Sequence, residues 1–164
     1  MTKVSAGHTA PDFALPQVDG GRASLADALK RGPAVLAFFK IACPVCQFTF
    51  PFLERMHKAY GNERVSFWGI SQDDQRDTKE FCAEYGITFP ALIDEEGYPV
   101  SNRFGLTYVP TVLLIAPDGK VKVSGEGFSK SDLEKISAEI AAHLGRPPAP
   151  VFRADEAVPD YKPG

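Results

Sequence analysis

Ala34-Val35-Leu36-Ala37-Phe38-Phe39 is a continuous apolar run with no helical stripe, bounded by Gly32-Pro33 and by Lys40. Such a run reads as a strand buried on both faces, and a strand of that kind needs a covering layer on each side. Directly after it stands Cys43-Pro44-Val45-Cys46. Residues 44–60 then place Phe48, Phe52, Leu53, Met56 and Tyr60 at helical spacing, ended by Gly61. Pro51 lies inside that helix and is expected to kink it. The pair of cysteines therefore sits where a buried strand gives way to a helix.

The rest of the chain repeats the alternation. Residues 1–32 form an irregular leading segment with turn chemistry at Asp19-Gly20-Gly21, and Ser24 can cap a short helix over Leu25–Leu29. Val65–Ile70 is a second strand. Asp73 or Asp74 can cap a helix running to about Tyr85, with Gly86 at its end. Pro90–Ile93 is a short strand, Asp94–Gly97 a polar turn, and Val100–Phe104 a short helix. Thr111–Ile115 and Lys120–Val123 flank Pro117-Asp118-Gly119 as a hairpin. Ser131-Asp132-Leu133-Glu134 is a capping box that opens a helix to about Leu144. Strands alternating with helices and closing on a hairpin predict a three-layer α/β/α sandwich whose mixed sheet is parallel first and antiparallel at its edge. Residues 1–144 make the domain. Residues 145–164 hold five prolines and no apolar period, and read as an extended proline-rich C-terminal tail.

The chemistry of the cysteine pair follows from its place. With Pro44 as the first helical residue, Cys43 is the N-cap, and the N–H that proline lacks is not needed there. The free N–H groups of the first turn point at the Cys43 sulfur, and the helix dipole favours negative charge on it. Thiols so placed have pKa values of roughly 3.5–7.5, and the thiolate is the species that attacks disulfides. A second thiol one turn away, Cys46, can release the covalent intermediate. Two other readings stay open at this point. The pair is half of a zinc site if Cys82, His8, His57 or His143 complete it, or it is two unrelated buried thiols.

Composition narrows the partners. Of 164 residues, 18 are basic and 21 acidic, a net charge of −3, so no global field favours nucleic acid or an anionic membrane. Three cysteines are too few for a disulfide scaffold, and no apolar run is long enough to cross a membrane. Met1–His8 lack the apolar segment of a secretory signal, from which a cytoplasmic location is expected.

Phe38–Cys46 together with Pro51 resembles the active-site strand, motif and helix of thioredoxins, and Tyr108-Val109-Pro110-Thr111 resembles the segment whose proline is cis and faces the cysteines. Gly7–Pro16, Gly69–Asp73 and Phe81–Pro90 are similar to the redoxin branch of that family, the AhpC/TSA branch that also contains the peroxiredoxins. The resemblance covers roughly residues 5–144. It implies a thioredoxin-like fold and a thiol–disulfide oxidoreductase in which Cys43 is the nucleophile and Cys46 the resolving thiol. It also implies that Val109, Pro110, Pro44 and Val45 meet a protein or small-molecule disulfide substrate. Trp68 and the phenylalanines read as core, with a rim of Phe39 and Val109 around the thiol as the lesser reading for Phe39. An external dithiol reductant is needed to complete the cycle; no metal or organic cofactor is implied.

Departures from the family matter as much. Pro44-Val45 replaces the Gly-Pro common in thioredoxins. Ala37 stands where thioredoxins bury a carboxylate, and Thr49 where cytochrome-maturation reductases carry a glutamate. Lys40 has two readings, an influence on the thiolate and a solvated strand end. A peroxiredoxin-like peroxidase using the same cysteines is the alternative enzyme. Its Pro-x-x-x-Thr-x-x-Cys pattern, aligned on Cys46, meets Phe39 and Cys43 and is broken twice. A non-enzymatic module with a vestigial or metal-holding pair is the third reading. Cys82, beside Phe81 and Tyr85, reads as a buried inert thiol, and Arg103 as a surface residue.

Overall fold

The structure is a computed structural model that describes residues 3–62 and 64–164. The expectation drawn from Met1–His8 therefore rests partly on Met1 and Thr2, which lie outside the described residues. The central sheet has five strands in the order β5-β4-β3-β6-β7: β3 Ala34–Phe39, β4 Ser66–Ser71, β5 Ala91–Ile93, β6 Thr111–Ile115 and β7 Val121–Glu126. β3 pairs parallel with β4, and β4 with β5, whereas β6 runs antiparallel to both β3 and β7. This is the mixed sheet the sequence predicts.

All six residues of β3 are buried, because the strand is central and covered on both sides. Val35, Ala37 and Phe39 face one core with α2 (Pro44–Tyr60), α3 (Gln75–Glu84) and α5 (Lys130–Leu144). Ala34, Leu36 and Phe38 face a second core with α1 (Leu25–Leu29) and α4 (Pro99–Arg103). The alternation is that of a strand, in which successive side chains point to opposite faces. Ala37 pairs with Gly69 across the sheet, and a Cβ on Gly69 would meet Phe39 at 3.1 Å and Phe50 at 3.3 Å. Small residues here make room for aromatic rings.

Two boundaries differ from expectation. The leading segment is not wholly irregular: β1 (Ala14–Pro16) and β2 (Arg22–Ser24) form an antiparallel pair around the Asp19-Gly20-Gly21 turn. Each is only three residues long, too short to show a period. The cap of α5 is Ser129, not Ser131; the Ser129 hydroxyl accepts from the Asp132 N–H at 3.3 Å. Ser131 is already inside the first turn. Ser129→Ala should therefore lower unfolding stability by about 1 kcal/mol in urea titrations, while Ser131→Ala should change it little.

Residues 145–164 hold no helix, turn at Arg153–Glu156, and pack on the domain. Val151 is buried, and the Phe152 ring lies 4.9 Å from Phe52 and 5.9 Å from Phe128. The Arg55 guanidinium donates to both Glu156 oxygens, at 2.7 and 2.9 Å, and to the Val151 carbonyl at 2.7 Å. This pairing holds the Glu156 carboxyl down to about 2, well below the usual carboxylate range, so the ion pair stays charged at neutral pH. Beyond it, β9 (Tyr161–Lys162) pairs antiparallel with β8 (Phe128–Ser129).

Candidate active site

Cys43 is the N-cap of α2, and its sulfur accepts a hydrogen bond from the Cys46 N–H at 3.2 Å. Pro44 occupies the first helical position, as the sequence predicts for a helix opened by proline. The half-buried Cys43 sulfur also lies 3.6 Å from the Val109 carbonyl, toward which its thiol points. The Val109–Pro110 peptide bond is cis. Two segments 66 residues apart are thus brought together at one sulfur atom. Of the remaining expected contact residues, Pro44 is exposed and Val45 half-buried, both in the first turn beside Cys43.

The two thiols of the pair are unequal. Cys43 is accessible from solvent; Cys46 is wholly buried among Phe39, Phe50 and the rest of the first core. Burial above all, then the hydrogen bond with Cys43 and the nearby charges of Cys43 and Asp73, push the Cys46 thiol well above its ordinary range. A buried sulfur pays for a negative charge with lost solvation, so Cys46 rests as a thiol. Cys82 is half-buried against Val18, Ala91 and Ile93, and burial pushes it up to about 11, aided by Asp19 and Glu54. It takes no part in the Cys43 environment.

Between β3 and α2 the chain is held from two sides. The Ile41 N–H donates to Asp73 Oδ2 at 2.8 Å, and the Gln47 amide donates to the Ile41 carbonyl at 2.9 Å. Asp73 and Gln47 were not singled out for this by sequence reasoning. Asp73 suits a helix cap as well as Asp74 does, yet only Asp74 caps α3, accepting from the Asp77 N–H at 2.8 Å. The signal that marked Asp73 was its place in the Gly69–Asp73 stretch. Thr49 is buried and donates to the Val45 carbonyl at 2.7 Å, so a neutral hydroxyl fills that position on α2.

For Phe39 the core reading holds, and the rim reading does not. It is fully buried, 4.3 Å from the Phe50 ring and 5.0 Å from Phe81, and so it belongs to the core beneath the site and not to an apolar rim. With Val35 and Ala37 it lies on the strand face that packs against α2, so it points inward. Lys40 is exposed and borders the groove at Cys43. Arg103 donates to the Asp12 carbonyl at 2.8 Å at the surface, away from the cysteines. The groove has a volume of about 460 Å³, with Gln72, Tyr98, Ser101 and Tyr108 on its walls. Among the described residues, no three His, Cys, Asp or Glu side chains converge as a metal site would require.

Residues 6–124 match the AhpC/TSA family. The thiol-disulfide oxidoreductase ResA of Geobacillus thermodenitrificans is 30% identical over 136 residues, covering 82% of this chain and 77% of the relative. Among solved structures, a Chlorobium tepidum protein provisionally named thiol:disulfide interchange protein DsbE superposes with a TM-score of 0.76. It is 29% identical, over 87% of this chain and all of that one. Peroxidoxin BcpB from Mycobacterium tuberculosis superposes with a TM-score of 0.69 at 26% identity, over 87% of this chain and 97% of that one.

Proposed function

The chain belongs to the AhpC/TSA family and is a thiol–disulfide oxidoreductase of thioredoxin-like fold, and on that basis we propose the roles of its two paired cysteines and the direction of its reaction. Cys43 attacks a disulfide in a protein substrate as the thiolate. Its sulfur bonds to one substrate sulfur, and the other leaves as a thiolate. Cys46, its proton passing to the first released substrate thiolate through solvent, then attacks the Cys43 sulfur. The second substrate thiolate leaves, a Cys43–Cys46 disulfide forms, and two electrons have passed to the substrate. An external dithiol reverses that bond and readies the chain for another turnover.

The observation that carries this reading is the asymmetry of the pair: Cys43 is reachable and accepts the Cys46 N–H, while Cys46 is buried one turn along the same helix. Attack on a bulky disulfide needs a sulfur that the substrate can touch, whereas attack on Cys43 does not. Val109, Pro44 and Val45 lie beside the accessible sulfur and form the surface on which a substrate rests, while the buried Pro110, through its cis bond, sets the position of the Val109 carbonyl.

A peroxidase reading has the likeness to peroxidoxin BcpB in its favour. Against it stand the buried Cys46, whose thiol is pushed up by burial, and Phe39 and Cys43 at the two broken motif positions. A peroxide-reacting cysteine has to be a thiolate. Insulin-disulfide reduction and hydrogen peroxide consumption, measured side by side on the same preparation with dithiothreitol as reductant, separate the two. Insulin reduction well above background with little peroxide turnover is expected. Peroxide turnover without insulin reduction would overturn the reading.

A further inference from the structure

The residues around 161–164 take no part in the chemistry described so far, yet they reach the active sulfur's own neighbour. A Cβ placed on Gly164 would fall 3.0 Å from the Val109 carbonyl carbon, 3.4 Å from the Pro110 nitrogen, and closer still to the Val109 oxygen. That oxygen is the one toward which the Cys43 thiol points, at 3.6 Å. A Cβ on Gly127 would likewise fall 3.0 Å from the Gly164 nitrogen and 3.3 Å from the Pro163 carbonyl carbon. Backbone thus lies directly on backbone, with glycine at both points of contact.

This placement is held at several points. β9 pairs with β8, Asp160 accepts from the Lys130 N–H at 2.9 Å, and the Lys162 ammonium lies 4.7 Å from the centre of the Phe48 ring. Upstream, Arg55 ties Glu156 and Val151. The contacts nearest Cys43 are few, and Tyr161, Pro163 and Gly164 are exposed. A strand pair of two residues opens more readily than the core beneath it.

The consequence is geometric. In a mixed disulfide the two Cα atoms lie roughly 4.4–6.8 Å apart, so a substrate cysteine joined to Cys43 has its backbone within about a residue of Val109. An extended chain advances about 3.3–3.6 Å per residue, so two residues on either side of that cysteine sweep some 7 Å each way. The groove they would enter is lined by Lys40, Gln72, Tyr98 and Tyr108, and also by Val109 and Gly164. At its Val109 edge Gly164 already stands against the Val109 carbonyl, with Pro163 packed behind it on Gly127.

We propose that residues 161–164 act as a specificity-determining strap, which admits small or protruding disulfides through the Tyr98–Tyr108 groove and hinders extended polypeptides until it lifts from Val109. The inference rests on Cys43 as the attacking sulfur. Its test compares rates on insulin and on 2-hydroxyethyl disulfide for three chains: wild type, a variant lacking residues 159–164, and Gly164→Val. The valine side chain cannot share space with the Val109 carbonyl, so it lifts residue 164, the strap's contact with Val109, without shortening the chain. If the strap is docked nine-tenths of the time, freeing the edge raises the insulin-to-small-disulfide rate ratio about tenfold.

A rise of that size in both variants supports the strap. An unchanged ratio in the shortened variant, with circular dichroism showing it folded, overturns the strap and leaves the proposed function standing. Should the shortened chain fail to fold, Gly164→Val decides alone by the same ratio. Wild-type protein that exchanges neither disulfide overturns the proposed function, and the strap with it.

Discussion

Cys43→Ser should lose disulfide exchange with insulin by roughly 10³-fold or more, which corresponds to about 4 kcal/mol of barrier. The serine hydroxyl keeps its proton at neutral pH, and among the described residues the Cys43 sulfur meets only the Val109 carbonyl and the Cys46 N–H, neither of them a base that could remove it. Helix N–H groups that stabilise a thiolate cannot do the same for an alkoxide so much more basic. Cys82→Ser provides the contrast. Cys82 is packed against Val18, Ala91 and Ile93 and its thiol is pushed up to about 11, so the variant should keep activity close to wild type. Activity that survives Cys43→Ser but falls in Cys82→Ser would move the nucleophile to α3 and remove the basis for the proposed mechanism.

The second large effect is on stability. Phe39 is fully buried, tilted against the Phe50 and Phe81 rings in the same core that holds Cys46. Phe39→Ala deletes a ring from a tightly filled aromatic cluster and should cost about 3–5 kcal/mol. Set against a typical total of 5–15 kcal/mol, that is a substantial part of what keeps a domain folded. For a chain of this size the thermal midpoint should fall by roughly 10 °C, followed by circular dichroism. Lys40→Ala, one residue along and exposed, should shift it little. Equal, small shifts for both variants would mean that the cluster is not the support of the β3–α2 junction.

That junction was legible in the sequence because several local signals agree there. Ala34–Phe39 has no polar residue to place on a wet face, Pro44 is suited to the first turn of a helix, and Gly61 ends it. Pro110 was marked by its resemblance to a known segment; its approach to Cys43 across 66 residues is visible only in the fold. What stayed hidden has identifiable physical causes. Asp73 and Asp74 satisfy the capping rule equally, and only the path of the chain past β4 turns Asp73 toward the Ile41 N–H. Ser129 and Ser131 compete in the same way for α5. The segment 145–164 shows no period because it packs through single side chains, Val151 and Phe152, and through main-chain contacts to β8 and Val109. Neither the extended chain nor its prolines announce such contacts.

The reaction scheme turns on which sulfur meets the substrate, and Cys46→Ser asks that question most directly. Without its resolving thiol the chain should stop at the mixed disulfide. After brief incubation with insulin and acid quenching, peptide mass spectrometry should find an insulin chain joined to Cys43, and dithiothreitol should release it. An adduct at Cys82, or no adduct while insulin is still reduced at the wild-type rate, would contradict the account.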